Sequence, residues 1–396
     1  MSLFEVDADG AMLENLNTST RVKPVKETLS AIQPLLSQYD IKGYADHTLH
    51  GFDVIRSVEI IRGKPTSGYL NLGKGFGFDA ALTSGYMEAI EMCTIETPPQ
   101  IPLTKSFDIP DAAWIYSESD RLPFRACDRS TATSYGTLIV GIDLLTEETA
   151  YAFAGETFLN VEQSEDNSTI TTNGLASGNT KSEARLHAIY EIIERHVAAQ
   201  SLSSLSSVFK LELRDAPPPL SDALGETTQS GMKAKFYLLG EELDVIVILC
   251  AMSSDSTPHI HFGWGAHHST AIAASRALAE AFQFATIRHA CAQNTLPKCR
   301  MQGGILVPVE NIEHFRSGST KWEQLLHSHL QKCPTRAMDF SDTVDEPIVS
   351  PDDALSNLLI KARAEGLSHL FSWTLSPAEM PFCVVKCVIP EFGSLF

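Results

Sequence analysis

Three helical segments, each apolar around most of its circumference and each carrying one line of polar side chains, constrain this chain more than any other feature. They run from about Ala80 to Glu96, from about Lys181 to Gln200 and from about Ala271 to His289, each after a cluster of Gly and polar residues. Residues spaced i, i+4 and i+7 share a helical face. That spacing picks out Ser84, Glu88 and Glu91 in the first segment. In the second it picks out Glu183, His187, Glu191 and Glu194, with Asn179 just before the helix and Arg195 beside the line. In the third it picks out Arg276, Glu280 and Gln283. Thr180, followed three residues later by Glu183, fits a capping box in which hydroxyl and carboxylate satisfy reciprocal backbone donors.

A polar line is ordinarily the solvated face of an amphipathic helix. Here the remaining side chains argue otherwise. Ala184, Leu186, Ala188, Ile189, Ile192, Ile193 and Val197 surround the second line, and Ala, Ile, Leu, Phe, Ser and Thr surround the third. A helix that is mostly apolar is mostly buried, and uncompensated burial of a carboxylate costs several kcal/mol. The pairs Glu88/Glu91 and Glu191/Glu194 therefore need cations beyond Arg195 and Arg276. Oxygen-only ligation selects a hard ion such as Mg2+, which keeps waters and bridges to nucleotide phosphates. A di-iron carboxylate bundle also uses paired helical carboxylates, but it needs E-x-x-H on two helices. Glu191 has Glu194 at that spacing, and the first helix has no nearby His.

The charge balance excludes a broad nucleic-acid surface: 30 basic residues stand against 49 acidic ones in 396 residues, a formal charge of −19. With 43% hydrophobic and 20% charged residues the chain can bury a large core. Its length suits two or three units or one large α/β domain. The apolar stretch Val245–Met252 is far shorter than the ~18 residues needed to span a membrane. Met1–Gly10 has neither the cationic nor the apolar region of a signal peptide. Cys93, Cys127, Cys250, Cys291, Cys299, Cys333, Cys383 and Cys387 form no C-x-x-C pair, which argues against structural zinc or a disulfide scaffold. The expectation is a cytoplasmic protein with reduced thiols and no membrane contact. Strand-like runs at Val54–Ile61, Gly136–Leu144, Lys235–Met252 and Phe382–Ile389 alternate with helices, predicting a mixed α/β (α+β) fold. Pro217-Pro218-Pro219 marks a loop. Gly73-Lys74-Gly75-Phe76-Gly77 is Gly-rich but lacks the spacing and the Ser or Thr of a Walker phosphate loop.

These residues match a family. Thr172-Asn173-Gly174-Leu175-Ala176-Ser177-Gly178-Asn179-Thr180, running into Ser182-Glu183-Ala184 and Glu191-Ile192-Ile193-Glu194-Arg195, resembles the central signature of the YcaO-domain proteins. Gly73-Lys74-Gly75 with Ser84 and Met87-Glu88-Ala89-Ile90-Glu91 is similar to the family's earlier motif. Ser275-Arg276-Ala277-Leu278-Ala279-Glu280-Ala281 is similar to its later one. Shorter matches lie at Thr20-Arg21 to Leu29, Gly141 to Thr146, and Val384-Val385-Lys386 to Pro390. The resemblance implies a single large YcaO-type domain over residues 1–396, with an N-terminal lead-in of about residues 1–45 and an ATP site formed between helices and sheet. It carries Mg2+ or phosphate contact onto Glu88, Glu91, Glu191 and Glu194. It carries nucleotide contact onto Ser84, Asn179, Glu183, Arg195, Arg276 and Glu280. His187 stands where another polar side chain is common, and Lys23 is a further nucleotide contact. The chain departs from the pattern at Phe284-Ala285-Thr286, where an Arg commonly follows the Gln, which affects Gln283.

The chemistry implied is ATP- and Mg2+-dependent activation of a peptide backbone amide. A nucleophile adds to the carbonyl, the oxyanion attacks the γ-phosphate, and phosphate then leaves. A neighbouring Cys, Ser or Thr side chain gives an azoline, an external sulfur donor a thioamide, an amine an amidine. Metal ions stabilise charge during phosphoryl transfer, and no covalent residue of the enzyme is required. Azoline-forming members commonly end in a Pro-rich tail, whereas Pro390-Glu391-Phe392-Gly393-Ser394-Leu395-Phe396 has one proline, so thioamidation with a TfuA-like partner is the favoured expectation. An azoline-forming cyclodehydratase working with a ThiF-like partner, an accessory factor for ribosomal-protein methylthiolation and a noncatalytic peptide-binding scaffold remain alternatives. Homodimerisation is also open. Four carboxylates and two arginines kept together argue against a scaffold, because a site without a ligand has no physical reason to hold charges that repel.

Three other features have plainer readings. Cys383 and Cys387 share a strand face and read as packing. His259 and His261 have the spacing for a shared metal, but no third ligand stands nearby, so a solvated strand face is expected. His267-His268 reads as loop before the third helix, within reach of phosphate.

Overall fold

The computed structural model describes residues 21–63, 70–97, 99–105, 109–110, 113–118, 122–126, 137–159, 170–204, 207–255, 257–293, 299–302, 305–308, 321–340 and 350–393. Met1–Gly10, Thr20, Cys127, Gly136 and Ser394–Phe396 lie outside them. Among the described residues the helices are α1 (Val25–Ile32), α2 (Phe78–Glu96), α3 (Lys181–Ser204), α4 (Leu220–Gln229), α5 (Thr270–Ala292), α6 (Lys321–Leu330) and α7 (Pro351–Ala364). The three motif helices are thus α2, α3 and α5, each within a few residues of its expected start. None of the described helices is long and apolar enough to cross a membrane. The fold is mixed α/β, as the alternating pattern predicts.

The chain divides into two compact units. The first comprises 1–89, 193–348 and 394–396, the second 90–192 and 349–393. In the first unit a five-stranded sheet is built on a meander of long strands, Met232–Glu242, Val245–Ser254 and Thr257–His267, continued by Phe209–Arg214 and by Thr335–Asp339, which joins in parallel. The single run expected over Lys235–Met252 is in fact two strands. Leu243 (φ 52°) and Asp244 (φ 60°) turn the chain between them. Two successive left-handed residues supply the twist that a two-residue hairpin needs.

α5 lies on this sheet at backbone contact. A Cβ at Gly263 would stand 2.2 Å from Ala281 N, and one at Gly265 2.1 Å from Ala273 O. Those two glycines are required, because no side chain fits between strand and helix. Beside the seam, Ile248, Cys250 and Met252 pack against Phe282, Leu278, Leu220 and Phe52. The rings of Phe52 and Phe282 lie 4.6 Å apart. The same unit holds an antiparallel three-stranded sheet of Ile41–Asp46, Ile55–Arg62 and Asn71–Phe76. Gly73 and Gly75 set it against α2: a Cβ at Gly73 would meet Ala81 O at 1.9 Å. Glu226 of α4 accepts the backbone N–H groups of Asp53 (2.7 Å) and Val54 (2.8 Å) ahead of the middle strand.

The second unit is organised by an eight-stranded sheet. Its order is Leu122–Arg125, Trp114–Ser117, Thr149–Phe153, Thr137–Asp143, Phe371–Thr374, Cys383–Val388 and Leu175–Gly178, with Leu103–Lys105 also paired to Thr137–Asp143. The strands Thr137–Asp143 and Cys383–Val388, within the strand-like runs read from the sequence, are central members. Asp143, fully buried, ties the turn after its strand to the start of Phe371–Thr374. It accepts Leu145 N–H (3.0 Å), Leu370 N–H (3.2 Å) and His369 Nδ1–H (2.7 Å). Such charge-assisted bonds offset the cost of burying the carboxylate. α7 is N-capped by Ser350, whose Oγ accepts Asp353 N–H at 3.2 Å.

Candidate functional site

The strand Leu175–Gly178 positions the first functional group in the second unit. It pairs with Cys383–Val388, register Val384↔Ser177 and Lys386↔Leu175. Its entry is held by Lys386, 6% exposed, whose Nζ donates to Thr171 O (2.7 Å) and Asn173 O (2.8 Å). Its exit is held by Gly178, where a Cβ would stand 2.5 Å from Ala184 N. The chain thus enters α3 with Asn179 at its mouth. Glu183, 2% exposed, accepts both Asn179 N–H (3.2 Å) and Asn179 Nδ2–H (3.0 Å). Thr180 Oγ1 accepts Glu183 N–H at 3.2 Å. Only the hydroxyl half of the expected capping box therefore forms as read. The carboxylate reaches back to Asn179 rather than to Thr180, since Asn179 offers it two donors. Further along the unit, Ser177 Oγ donates to Glu91 Oε1 at 2.5 Å. His187 and Glu191 follow on α3, both partly buried.

The first unit carries the other half of the motif residues. Glu88 Oε1 on α2 accepts Leu72 N–H at 3.1 Å. Glu280 Oε2 on α5 accepts Trp264 N–H at 3.2 Å and lies 3.3 Å from Lys74 Nζ. Gly265 and Gly263 lie beneath the two charged positions of α5, a Cβ at either coming within 2.9 Å of Arg276 Cβ or 2.8 Å of the Glu280 carbonyl carbon. Ser84, Glu194 and Arg195 are partly buried, Gln283 is buried, and Lys23 lies partly buried in the bend before α1.

These placements decide between the two readings of the polar lines. None of Ser84, Glu88, Glu91, Asn179, Glu183, His187, Glu191, Glu194, Arg195, Arg276 or Glu280 is exposed. The lines are not solvated faces. Glu91 accepts a hydrogen bond from a hydroxyl and Glu88 one from a backbone amide, the kind of support that ligating carboxylates commonly have. Their oxygen-only donor set fits Mg2+, which is held by one or two carboxylates plus phosphate oxygens and water rather than by an all-protein cage. Among the described residues no group of three or more His, Cys, Asp or Glu side chains is placed to hold a metal ion.

Reading the sequence passed over two residues here. Lys74 stands in the sequence as a letter of a Gly-rich run and of the earlier motif, and Ser177 as a letter of the central signature, neither with a role of its own. The strand alternation of Gly73-Lys74-Gly75, small residues on one face and a cation on the other, was the available signal for Lys74.

The remaining candidates behave differently from expectation in part. His261 is buried, not on a solvated face. Burial, with Arg288 and His259 nearby, pushes its pKa down to about 3. His259 takes a 3.0 Å bond from Arg288, which also pairs with Glu323 at 3.0 Å. His267 ends a strand rather than lying in a loop, and its Nδ1 accepts Ser269 N–H at 2.9 Å. Burial pushes His268 down to about 4, so it is a neutral ring and no cation for phosphate. Cys387 is fully buried and burial raises its thiol to about 11. Cys383 is partly buried and also raised by burial, so both pack rather than react. Cys93, Cys250, Cys291, Cys333, Cys383 and Cys387 are free thiols.

The chain belongs to the YcaO cyclodehydratase family, a family that binds ATP and Mg2+: the family model matches residues 72–393. A protein of Rhizobium leguminosarum bv. trifolii, "Uncharacterized protein in tfuA 3′ region", is 29% identical over 288 residues, covering 65% of this chain and 64% of that protein. About a third of that relative thus lies beyond the match. YcaO from Methanopyrus kandleri, solved bound with AMPPCP and Mg2+, has the same fold with a TM-score of 0.71 at 18% identity, covering 95% of this chain and 93% of that one. A heterocyclase solved in complex with substrate and cofactor gives a TM-score of 0.74 at 16% identity, covering 98% of this chain and 56% of that one.

Proposed function

We propose that this chain uses ATP with Mg2+ to phosphorylate the oxygen of a peptide backbone amide, in the post-translational modification of a ribosomally made peptide, and that the product is a thioamide formed with a TfuA-like partner. The observation that carries this reading is that the carboxylates and arginines of the polar lines are buried or partly buried on largely apolar helices, none of them exposed. Membership in an ATP- and Mg2+-binding family supports the cofactors, and a relative encoded in a tfuA region supports the partner and hence the sulfur product.

Glu88, Glu91, Glu191 and Glu194 would hold Mg2+, which when bound neutralises phosphate charge during phosphoryl transfer. Ser84, Asn179, Glu183, His187, Arg195, Arg276 and Glu280, with Lys23, would hold the nucleotide. Asn179 is fixed by Glu183 through its backbone and side-chain N–H groups. The thioamide step exchanges oxygen for sulfur: the sulfur nucleophile adds to the carbonyl carbon, the oxygen leaves as phosphate, and a proton is lost. Residues 1–396 would act as one YcaO-type domain, with a lead-in of about residues 1–45, in the cytoplasm.

Thermal unfolding tests the binding half. Excess ATP with Mg2+ should raise the melting temperature, and Glu191→Ala should abolish the rise. Mass spectrometry of a precursor peptide incubated with the TfuA-like partner, ATP and sulfide tests the product: exchange of oxygen for sulfur supports it, whereas loss of water marks an azoline former.

A further inference from the structure

We propose that Ser177 is a positioning residue which fixes the Glu91 carboxylate for a divalent cation. The proposal rests on the functional reading above and names a control on its metal site. Ser177 is 3% exposed, and its hydroxyl lies 2.5 Å from Glu91 Oε1, a short charge-assisted bond. A hydroxyl carries one proton, so this contact commits the donor to one carboxylate oxygen and sets the plane of the group.

The mount of that hydroxyl is unusually stiff. Ser177 faces Val384 in the sheet register. Three residues upstream, Gly174 has its backbone against Cys387 O, with a would-be Cβ only 2.3 Å away, and Cys387 N–H bonds Gly174 O at 2.8 Å. The buried ammonium of Lys386 gathers the Thr171 and Asn173 carbonyls. One residue downstream, Gly178 lies on the backbone of α3. A serine anchored on both sides cannot follow a wandering carboxylate, so the carboxylate must come to the serine.

Glu88 supplies the internal comparison. Its Oε1 is held by the backbone N–H of Leu72, a donor that no side-chain substitution removes. The Ser177 contact to Glu91 comes from a side chain, so it is open to substitution. Partners that orient a metal's ligands change metal affinity by about 10- to 100-fold when removed, through orientation and basicity rather than through ligand count.

The test is Mg2+ titration of the ATP-induced rise in melting temperature, at saturating ATP, for the parent, Ser177→Ala and Ser177→Cys. The Ala variant should keep a ligand-free melting temperature near the parent's, raise the Mg2+ midpoint about tenfold, and regain the full response at excess Mg2+. The Cys variant, similar in shape but a weaker donor, should fall between the two, and it carries the test if the Ala variant does not fold. A parent midpoint in both variants overturns the proposal while leaving the functional reading intact. A parent protein indifferent to Mg2+ and ATP overturns the functional reading, and the role of Ser177 with it.

Discussion

Lys74 Nζ stands 3.3 Å from Glu280 Oε2, joining the Gly-rich strand Asn71–Phe76 to the helix that carries the last polar line. The pair follows from strand geometry. Gly73 and Gly75 turn their bare faces to α2, so Lys74 between them projects the other way. With Trp264 N–H on the same oxygen, Glu280 is oriented from two directions.

Lys74→Met should therefore weaken ATP binding about tenfold, the effect of losing one charged hydrogen bond of about 1.5 kcal/mol at Glu280. Global stability should change by less than about 1 kcal/mol, because the pair is partly exposed. Calorimetric titration with ATP and Mg2+, beside urea unfolding, separates the two. A variant that binds ATP like the parent would remove Lys74 from the site.

Gly263→Ala should destabilise the first unit by about 1–3 kcal/mol, as overpacking does. The added methyl would stand 2.2 Å from Ala281 N and 2.4 Å from Ala277 O, both backbone atoms that cannot rotate aside. Gly225→Ala, where nothing lies within 4 Å, is the control. Equal urea midpoints for the two variants would show that α5 is not seated on this strand.

Lys386→Met should cost about 2 kcal/mol, since two carbonyls lose a charged donor in a buried setting. The damage should centre on the segment entering Leu175–Gly178, seen as faster amide exchange at Gly174 and Leu175. Unchanged exchange there would contradict the anchoring role.

Acid should weaken the fold before carboxylates titrate. His261 and His268 are pushed down to about 3 and about 4. Once unfolded, they take up protons near pH 6.5, which the folded chain refuses, so the unfolded state binds more protons and stability falls as pH drops below that point. At a slope that approaches about 1.4 kcal/mol per pH unit for each group below pH 6.5, the two remove about 3 kcal/mol between pH 6.5 and pH 5. Urea unfolding at pH 7 and pH 5 measures this, and His261→Gln should recover about half. A loss that His261→Gln leaves untouched would place the titration elsewhere.

The helices were legible because α2, α3 and α5 combine long apolar runs with a polar line of helical period. The turn at Leu243 and Asp244 was not, because neither residue is a glycine or proline. The site was legible where motif spacing is local, as at Asn179 and Glu183. It was opaque where a contact closes over distance: Ser177 and Glu91 are 86 residues apart, and nothing in either neighbourhood announces the other. His261 was misplaced for the same reason, since Arg288 and the sheet that bury it belong to other stretches of chain.

Where Gly73, Gly178, Gly263 and Gly265 let main chain rest on main chain, spacing is set by backbone radii, which every amino acid shares. The motif helices are thereby gauged to their strands like parts cut to a fixed tolerance, and no choice of side chain can widen or narrow those gaps by a fraction of an ångström. Re-engineering this scaffold would have to proceed by altering loops and outer faces, with those four positions held constant.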